Sequence, residues 1–319
     1  MNILRFVFFI GFISYLGAEH IALKKFAEVP QKAVYMTQPP SEKQLLFVVN
    51  QDGYIHIIDN GELVEEPFLD ISDRVYPPLT LKSKKGLWGL AFHPKYQQNG
   101  YIFLSYINKD NISIISRFNA DIHLNKANKE SEKILLELDH SSKGHNGIHL
   151  AFGPQDNMLY VGVGDGIKSN YLESDSQNLN TLFGSILRID IDNDDPYNIP
   201  LDNPFIKEKH VRHEIFCYGL KNPSRFSFDQ ITHELIIPDV GDGTQEELNW
   251  ISIEKSRGAN FGWPIMDGKH CFDSESFCDT TNFILPIHAY SGGTAYLSRI
   301  LSIVGGKTNG CSIVGGRVY

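Results

Sequence analysis

One polar loop carries a histidine in a setting suited to proton transfer. His145 lies between Gly144 and the pair Asn146 and Gly147, just ahead of an apolar run that begins at Ile148. A loop of this composition exposes an imidazole at the end of a strand, where it can serve as a base near neutral pH. The bland alternative is a loop histidine bonded to its neighbours. His149 shares one strand face with His145 if both are extended, and it reads as a structural histidine. The segment 239–249 is a glycine turn followed by carboxylates, with Asp239, Gly241, Asp242, Gly243, Glu246 and Glu247. Hard cations take several oxygen ligands, backbone carbonyls among them, and such a turn can supply them. An ordinary acidic turn accounts for the spacing equally well. Lys221 and Asn222, ahead of Pro223 and Arg225, set a cation beside an amide. That pairing suits a carboxylate or a quinone oxygen, with a solvated turn as the alternative.

Other chemistries are excluded by missing patterns. No GxGxxG stands at a strand–helix junction and no GxSxG is present, which argues against a nicotinamide Rossmann site and a serine-hydrolase elbow. No CxxC spacing supports zinc. No sustained run of Lys or Arg supports nucleic-acid binding, and the formal net charge of -9 speaks only for solubility.

The elements that must position these residues are short strands. Residues 45–50 and 54–59 flank a Gln51-Asp52-Gly53 turn, and residues 101–106 and 112–118 flank a second polar turn, so both pairs read as hairpins. One strand–turn–strand pattern recurs: 90–94 leads to 101–106, 150–154 to 158–163, and 226–229 to 234–238, with 47–58 a fainter copy. The copies stand roughly 40 to 75 residues apart, as propeller blades with loop insertions do. Their strands are apolar rather than alternating, as expected where neighbouring units cover both faces. A β-sandwich is the competing architecture. The longest insertion, 166–204, contains a strand-like run at 182–192 with Arg188; long loops on one rim are where sites are built. Its acidic stretch 192–195 also reads as a plain solvated loop.

The 319 residues, 42% of them hydrophobic, suffice for a large packed core. Arg5 precedes an apolar run at 6–16, of signal-peptide length and too short to span a bilayer easily, so residues 1–18 are expected to be an export signal and 19–319 the mature domain. No later segment suits a membrane helix. Export puts the four cysteines in an oxidising compartment. Cys271 and Cys278 close a short loop and are the expected pair; Cys217 and Cys311 pair with each other or have each lost a partner. A glycosylation-type sequon, Asn111 to Ser113, is expected on a surface strand.

Six segments in order carry a resemblance: 86–94; 145–147 with 150–154; 177–184 with 186–190; 218–223; 239–241 with Glu246 and Glu247; and 260–264 with 270–272. From about Leu45 to Tyr319 the chain resembles the soluble glucose/sorbosone dehydrogenase family, which includes aldose sugar dehydrogenases and the propeller of hedgehog-interacting-protein-like proteins. The resemblance implies an all-β, six-bladed β-propeller that binds pyrroloquinoline quinone (PQQ) and calcium. It makes His145 the base that takes the sugar C1 hydroxyl proton while hydride passes to the quinone. Lys221 and Asn222 match an Arg-Asn pair that contacts the cofactor; lysine keeps the charge and loses the planar fork. Gly241 and Asp242 match carbonyls on the cofactor-side calcium, and Glu247 with the Phe261 carbonyl matches a second calcium site.

The chain departs from the pattern in three places. Lys84 and Lys85 stand near a position where the family often has Gln or Glu, and Ile148 replaces a common second glycine. The family's later basic residues, and a cysteine to pair with Cys311, would lie beyond Tyr319, so part of the last blade is expected to be missing. The expected activity is oxidation of an aldose to its lactone by an exported enzyme with an external electron acceptor. The rival is a catalytically silent secreted propeller used for binding.

Overall fold

A computed structural model of the chain describes residues 24–40, 44–78, 83, 85–139, 145, 148–166, 174–193, 195–241, 245–273, 278–291, 313 and 315. The expected signal segment, Lys84, Asp242 and Cys311 lie outside the described residues.

Strands dominate among the described residues, and they fall into four blade-like sheets taken in chain order and one two-stranded sheet. Blade one holds β1 (Ala33–Thr37), β2 (Leu45–Asn50), β3 (Tyr54–Asp59) and β4 (Glu62–Leu63), with β5 (Leu69–Asp70) also paired to β3. Blade two is β6 (Leu87–Phe92), β7 (Tyr101–Ile107), β8 (Ser113–Asp121) and β9 (Lys126–Leu138). Blade three is β10 (Ile148–Phe152), β11 (Leu159–Val163), β12 (Ser185–Ile189) and β13 (Ile215–Tyr218). Blade four is β14 (Ser227–Phe228), β15 (Leu235–Asp239) and β16 (Glu246–Ile251); after a small hairpin, β17 (Met266–Asp267) and β18 (His270–Cys271), it is completed by β19 (His288–Tyr290). This is the propeller-like arrangement expected from the recurring pattern, with four blades among the described residues.

The strands of blades two and three are apolar on both faces because each of these blades is packed from both sides. In β7, Ile102 and Leu104 join a cluster with Phe47, Val49 and Ile55 of blade one. Phe103, between them, points the other way and joins Leu150, Val161 and Leu187 of blade three. In the same way Tyr160 and Ile186 leave blade three to meet Phe228, Leu235 and Ile237 of blade four. A period of two on strands covered from both sides produces this division. Each fully buried side chain of this size contributes about 1.5–3 kcal/mol. The first strands of all four blades border one cavity of about 260 Å³, with Tyr35, Leu90, Leu150 and Phe228 in its wall.

The insertion 166–204 is held down at several points. Arg188 of β12, 4% exposed, donates to Asp156 (2.9 Å), Asp202 (2.8 Å) and Asn203 (2.9 Å). His93, after β6, meets Asp192 at 3.0 Å, and Lys133 pairs with Asp195 at 2.5 Å. The acidic stretch is therefore anchored at both ends rather than merely solvated.

Cys271 and Cys278 form the expected disulfide, with Cα atoms 5.9 Å apart. Cys217 is a free thiol in the core between blades three and four. The sequon expectation is corrected: Asn111 occupies the turn before β8 with φ +67°, and Ser113 is 1% exposed where β8 begins. Asparagine tolerates the left-handed backbone that this turn requires.

Candidate active site

The hairpin register of blade three assembles the first part of the site. Ile148 of β10 pairs with Val163 of β11, so the residue three places before β10 faces the segment just after β11. His145 meets Asp165 there, with Nδ1 2.7 Å from Oδ1 and side-chain exposures of 11% and 2%. A glycine at 164 is required: a Cβ there would collide with the carbonyl of His145 and lie 2.8 Å from Asn222 Oδ1. His145 has φ +52°, in the left-handed region, so it is not extended and does not share a strand face with His149. His149 is buried between the rings of Tyr35 (5.3 Å) and Phe226 (5.2 Å), as a structural histidine would be.

Asp165 is tied down on every side. Its second oxygen, Oδ2, accepts from the indole Nε1 of Trp263 at 2.8 Å and from the Ser174 hydroxyl at 3.4 Å. Its backbone N–H donates to the carbonyl of Lys221 at 2.8 Å. An ionised carboxylate only accepts, so its partner nitrogen on His145 carries the proton and Nε2 is left as the basic nitrogen.

Lys221 and Asn222 follow β13. Lys221 is 2% exposed, and its ammonium lies 4.5 Å from the centroid of the Trp263 ring. The backbone N–H groups of Lys221 and Asn222 donate to the two oxygens of Asp239 at 2.7 and 2.6 Å. Asp239, at the end of β15, therefore shapes the loop that carries the cation. Asn222 Oδ1 is buried with no hydrogen-bond partner among the described residues.

Asp239 pairs across the sheet with Glu247 of β16. Burial pushes the Asp239 carboxyl up to about 7, against the pull of the two N–H donors. Burial pushes Glu247 up to about 8, with the Asp239 charge adding to it. Glu247 Oε1 accepts from the Gly268 N–H at 2.6 Å. Glu246 is raised by burial as well. Gly241 packs against the backbone of Gln245, and a Cβ on it would lie 2.9 Å from Asp267 Oδ1. Phe261 is buried, its N–H donating to the Tyr218 carbonyl at 2.9 Å, and it precedes the turn leading to Asp267. Among the described residues, no group of three or more His, Cys, Asp or Glu side chains is arranged to hold a metal ion.

The structure thus brings His145, Lys221 and Asn222 together, and sets Gly241 and Glu247 on the adjoining acidic side of Asp239. Asp165 and Trp263 were missed as site residues from sequence. The signal for Asp165 was the strand pairing itself, because a tight hairpin brings the residues just outside its open end together. Nothing local in the sequence ties Trp263 to Asp165, 98 residues away.

Comparison with known proteins adds the family. The glucose/sorbosone dehydrogenase family matches residues 31–296. Human hedgehog-interacting protein is 32% identical over 205 residues, covering 59% of this chain and 29% of that protein. The HIPL1 protein of Arabidopsis thaliana is 27% identical over 357 residues, covering 89% of this chain and 50% of its own length. Quinoprotein glucose dehydrogenase B of Acinetobacter calcoaceticus is 30% identical, over 58% of this chain and 41% of its own. The matches thus span half or less of these relatives. The PQQ-bound aldose sugar dehydrogenase of Streptomyces coelicolor shares the fold, with a TM-score of 0.65 and 23% identity over 85% of this chain and 71% of its own. With the family match running from β1 through blade four, this chain belongs to the glucose/sorbosone dehydrogenase family.

Proposed function

We propose that this chain is an exported quinoprotein with the six-bladed ring of its family. In this reading it oxidises the C1 hydroxyl of an aldose to the lactone, with PQQ, calcium and His145 as the general base. The observation that carries the proposal is the His145–Asp165 pair at 2.7 Å beside a buried Lys221 and a buried Asn222 oxygen without a partner among the described residues. A buried cation suits a ligand with carboxylate or quinone oxygen toward the ammonium, and the unmet amide oxygen beside it calls for an N–H or O–H donor on the same ligand. The PQQ-bound state of the Streptomyces relative and the name of the Acinetobacter relative support the same cofactor.

PQQ, when bound, supplies the hydride acceptor. His145 takes the hydroxyl proton at Nε2, because Nδ1 faces Asp165. Asp165 then stabilises the imidazolium and holds the ring in place. Lys221 and Asn222 hold the cofactor. Calcium would be held at the acidic end of blade four by the Gly241 carbonyl, with Glu247 and the Phe261 carbonyl at a second site; Asp242, the other residue the family pattern assigns to it, lies outside the described residues. The donor chemistry fits: the oxygens there are carboxylate and carbonyl, and burial holds Asp239 and Glu247 toward the protonated form, a tendency that a bound divalent cation would reverse. The Cys271–Cys278 disulfide supports export.

The deciding experiment is reconstitution of purified protein with PQQ and calcium, read by dye reduction with a panel of aldoses. Dye reduction with at least one aldose is expected, as is a higher melting temperature on adding calcium to chelated protein. No turnover, together with no change in melting on adding PQQ, sinks the reading. His145→Ala should lower turnover by about 10²–10⁴-fold while PQQ and calcium binding persist. Turnover near wild type would remove His145 as the base.

The second reading is a silent binding propeller. The 32% identity with hedgehog-interacting protein favours it, and so does Lys84 where the family often has Gln or Glu. It is the surviving reading if the reconstituted protein is inert.

A further inference from the structure

Trp263 lies between the two charged groups of the site. Its indole Nε1–H donates to Asp165 Oδ2 at 2.8 Å, while its ring face carries the Lys221 ammonium at 4.5 Å from the centroid. The other oxygen of Asp165 meets His145 Nδ1 at 2.7 Å. An indole is negative on its face and positive at its N–H edge. Here the edge meets the carboxylate and the face meets the ammonium, so one ring matches both charges. The ring is itself fixed. Trp263 is 4% exposed and its N–H donates to the Gly219 carbonyl at 2.9 Å. Its carbonyl accepts from Gln177 Nε2 at 2.7 Å, and its ring stands edge-on to Phe272 at 5.3 Å.

We infer that Trp263 is a positioning residue that sets the His145 tautomer. Holding Oδ2 stops the Asp165 carboxylate from rotating, so Oδ1 stays on Nδ1 and Nε2 stays basic. The same ring keeps Lys221 in the site. The kinetic consequence rests on the proposed dehydrogenase reading; the tautomer does not. Among the described residues, the charged groups facing the pair include Asp165, Lys221 and, through the Lys221 loop, Asp239.

The test compares wild type with Trp263→Phe, which keeps the ring face but loses the N–H, and with Trp263→His, which restores an N–H donor. Nitrogen-15 NMR of His145 in quinone-free protein reads the tautomer. Wild type should show the Nδ1–H form, and an indole N–H of Trp263 that exchanges slowly with solvent. Trp263→Phe should mix the tautomers, lower kcat about tenfold with KM within about twofold, and move the acid limb of the rate–pH profile upward. Trp263→His should recover part of the loss. A purely structural role would lower melting temperature without changing the tautomer. An unchanged tautomer and kcat in Trp263→Phe overturns the inference. If Trp263→Phe fails to fold, the wild-type spectra decide: an Nε2–H tautomer, or fast exchange of the indole N–H, overturns it. If wild type turns over no aldose, the functional reading fails and the tautomer comparison still judges Trp263.

Discussion

His145 sits in a left-handed backbone conformation, φ +52°, in a loop that also holds Gly144 and Gly147. A non-glycine residue there carries strain that the surrounding contacts must hold, and such residues gather at functional sites. Two contacts hold it: the close approach of Gly164 beneath its carbonyl and the Asp165 carboxylate on its ring. Cys217 has the opposite environment. It is 0% exposed, and burial pushes its thiol up to about 12. The thiolate is the nucleophile, so Cys217 in native protein at pH 8 should not react with an alkylating reagent, and it should be alkylated in denaturant. Labelling of native protein at Cys217, read by mass spectrometry, would show that blades three and four open readily at β13.

At the scale of the element, Arg188 shows how a long insertion is tied to a blade. One buried guanidinium on β12 joins Asp156, in the turn between β10 and β11, to Asp202 and Asn203 of the insertion. Asp202 is held below the usual carboxylate range chiefly by its hydrogen bond to Arg188. Arg188→Met should cost about 3 kcal/mol, because Asp156 and Asn203 lose their partner in a partly buried setting. Denaturant unfolding would read this, and a loss under about 1 kcal/mol would mean the network is redundant. Arg188→Lys should recover only part, since lysine lacks the fork that reaches several acceptors. The hairpins 45–59 and 101–118 were legible in sequence because turn residues break apolar runs at fixed spacing, and their strands begin and end within three residues of the expected positions. The site was half legible. His145, Lys221 and Asn222 stand in local motifs, whereas Trp263 reaches Asp165 only through the packing of blade three against the turn before β17.

Across the whole molecule, stability rests on blade-to-blade packing and on ties between distant segments, and one of these ties titrates. His93 is 1% exposed; its Nδ1 accepts from the Lys95 N–H at 2.9 Å, and its Nε2 donates to Asp192 at 3.0 Å. Burial lowers its pKa, with the Asp192 charge pulling the other way. The unfolded chain gains this proton below about pH 6.5, while the folded chain takes it up only at lower pH. Protons are thus bound more by the unfolded state in that window, so stability should fall as pH drops below about 6.5. The measurement is melting temperature between pH 7 and pH 5 for wild type and His93→Gln. The variant should show a smaller loss across that range; an equal slope in both would show that His93 does not report on folding.

Composition, strand spacing and motif order were enough to set the class of fold and the family, because turn chemistry and the period of apolar residues are local properties that survive without coordinates. The tertiary structure alone decided three things. It buried His149 as packing and turned His145 out of its strand face through a left-handed backbone. It joined Asp165 to Trp263 and Trp263 to Lys221 across blades. It also set Asp239 and Glu247 side by side in a buried sheet, where their charge is costly. Each depends on which strands become neighbours, and long-range pairing is settled by packing between blades rather than by any local stretch of chain.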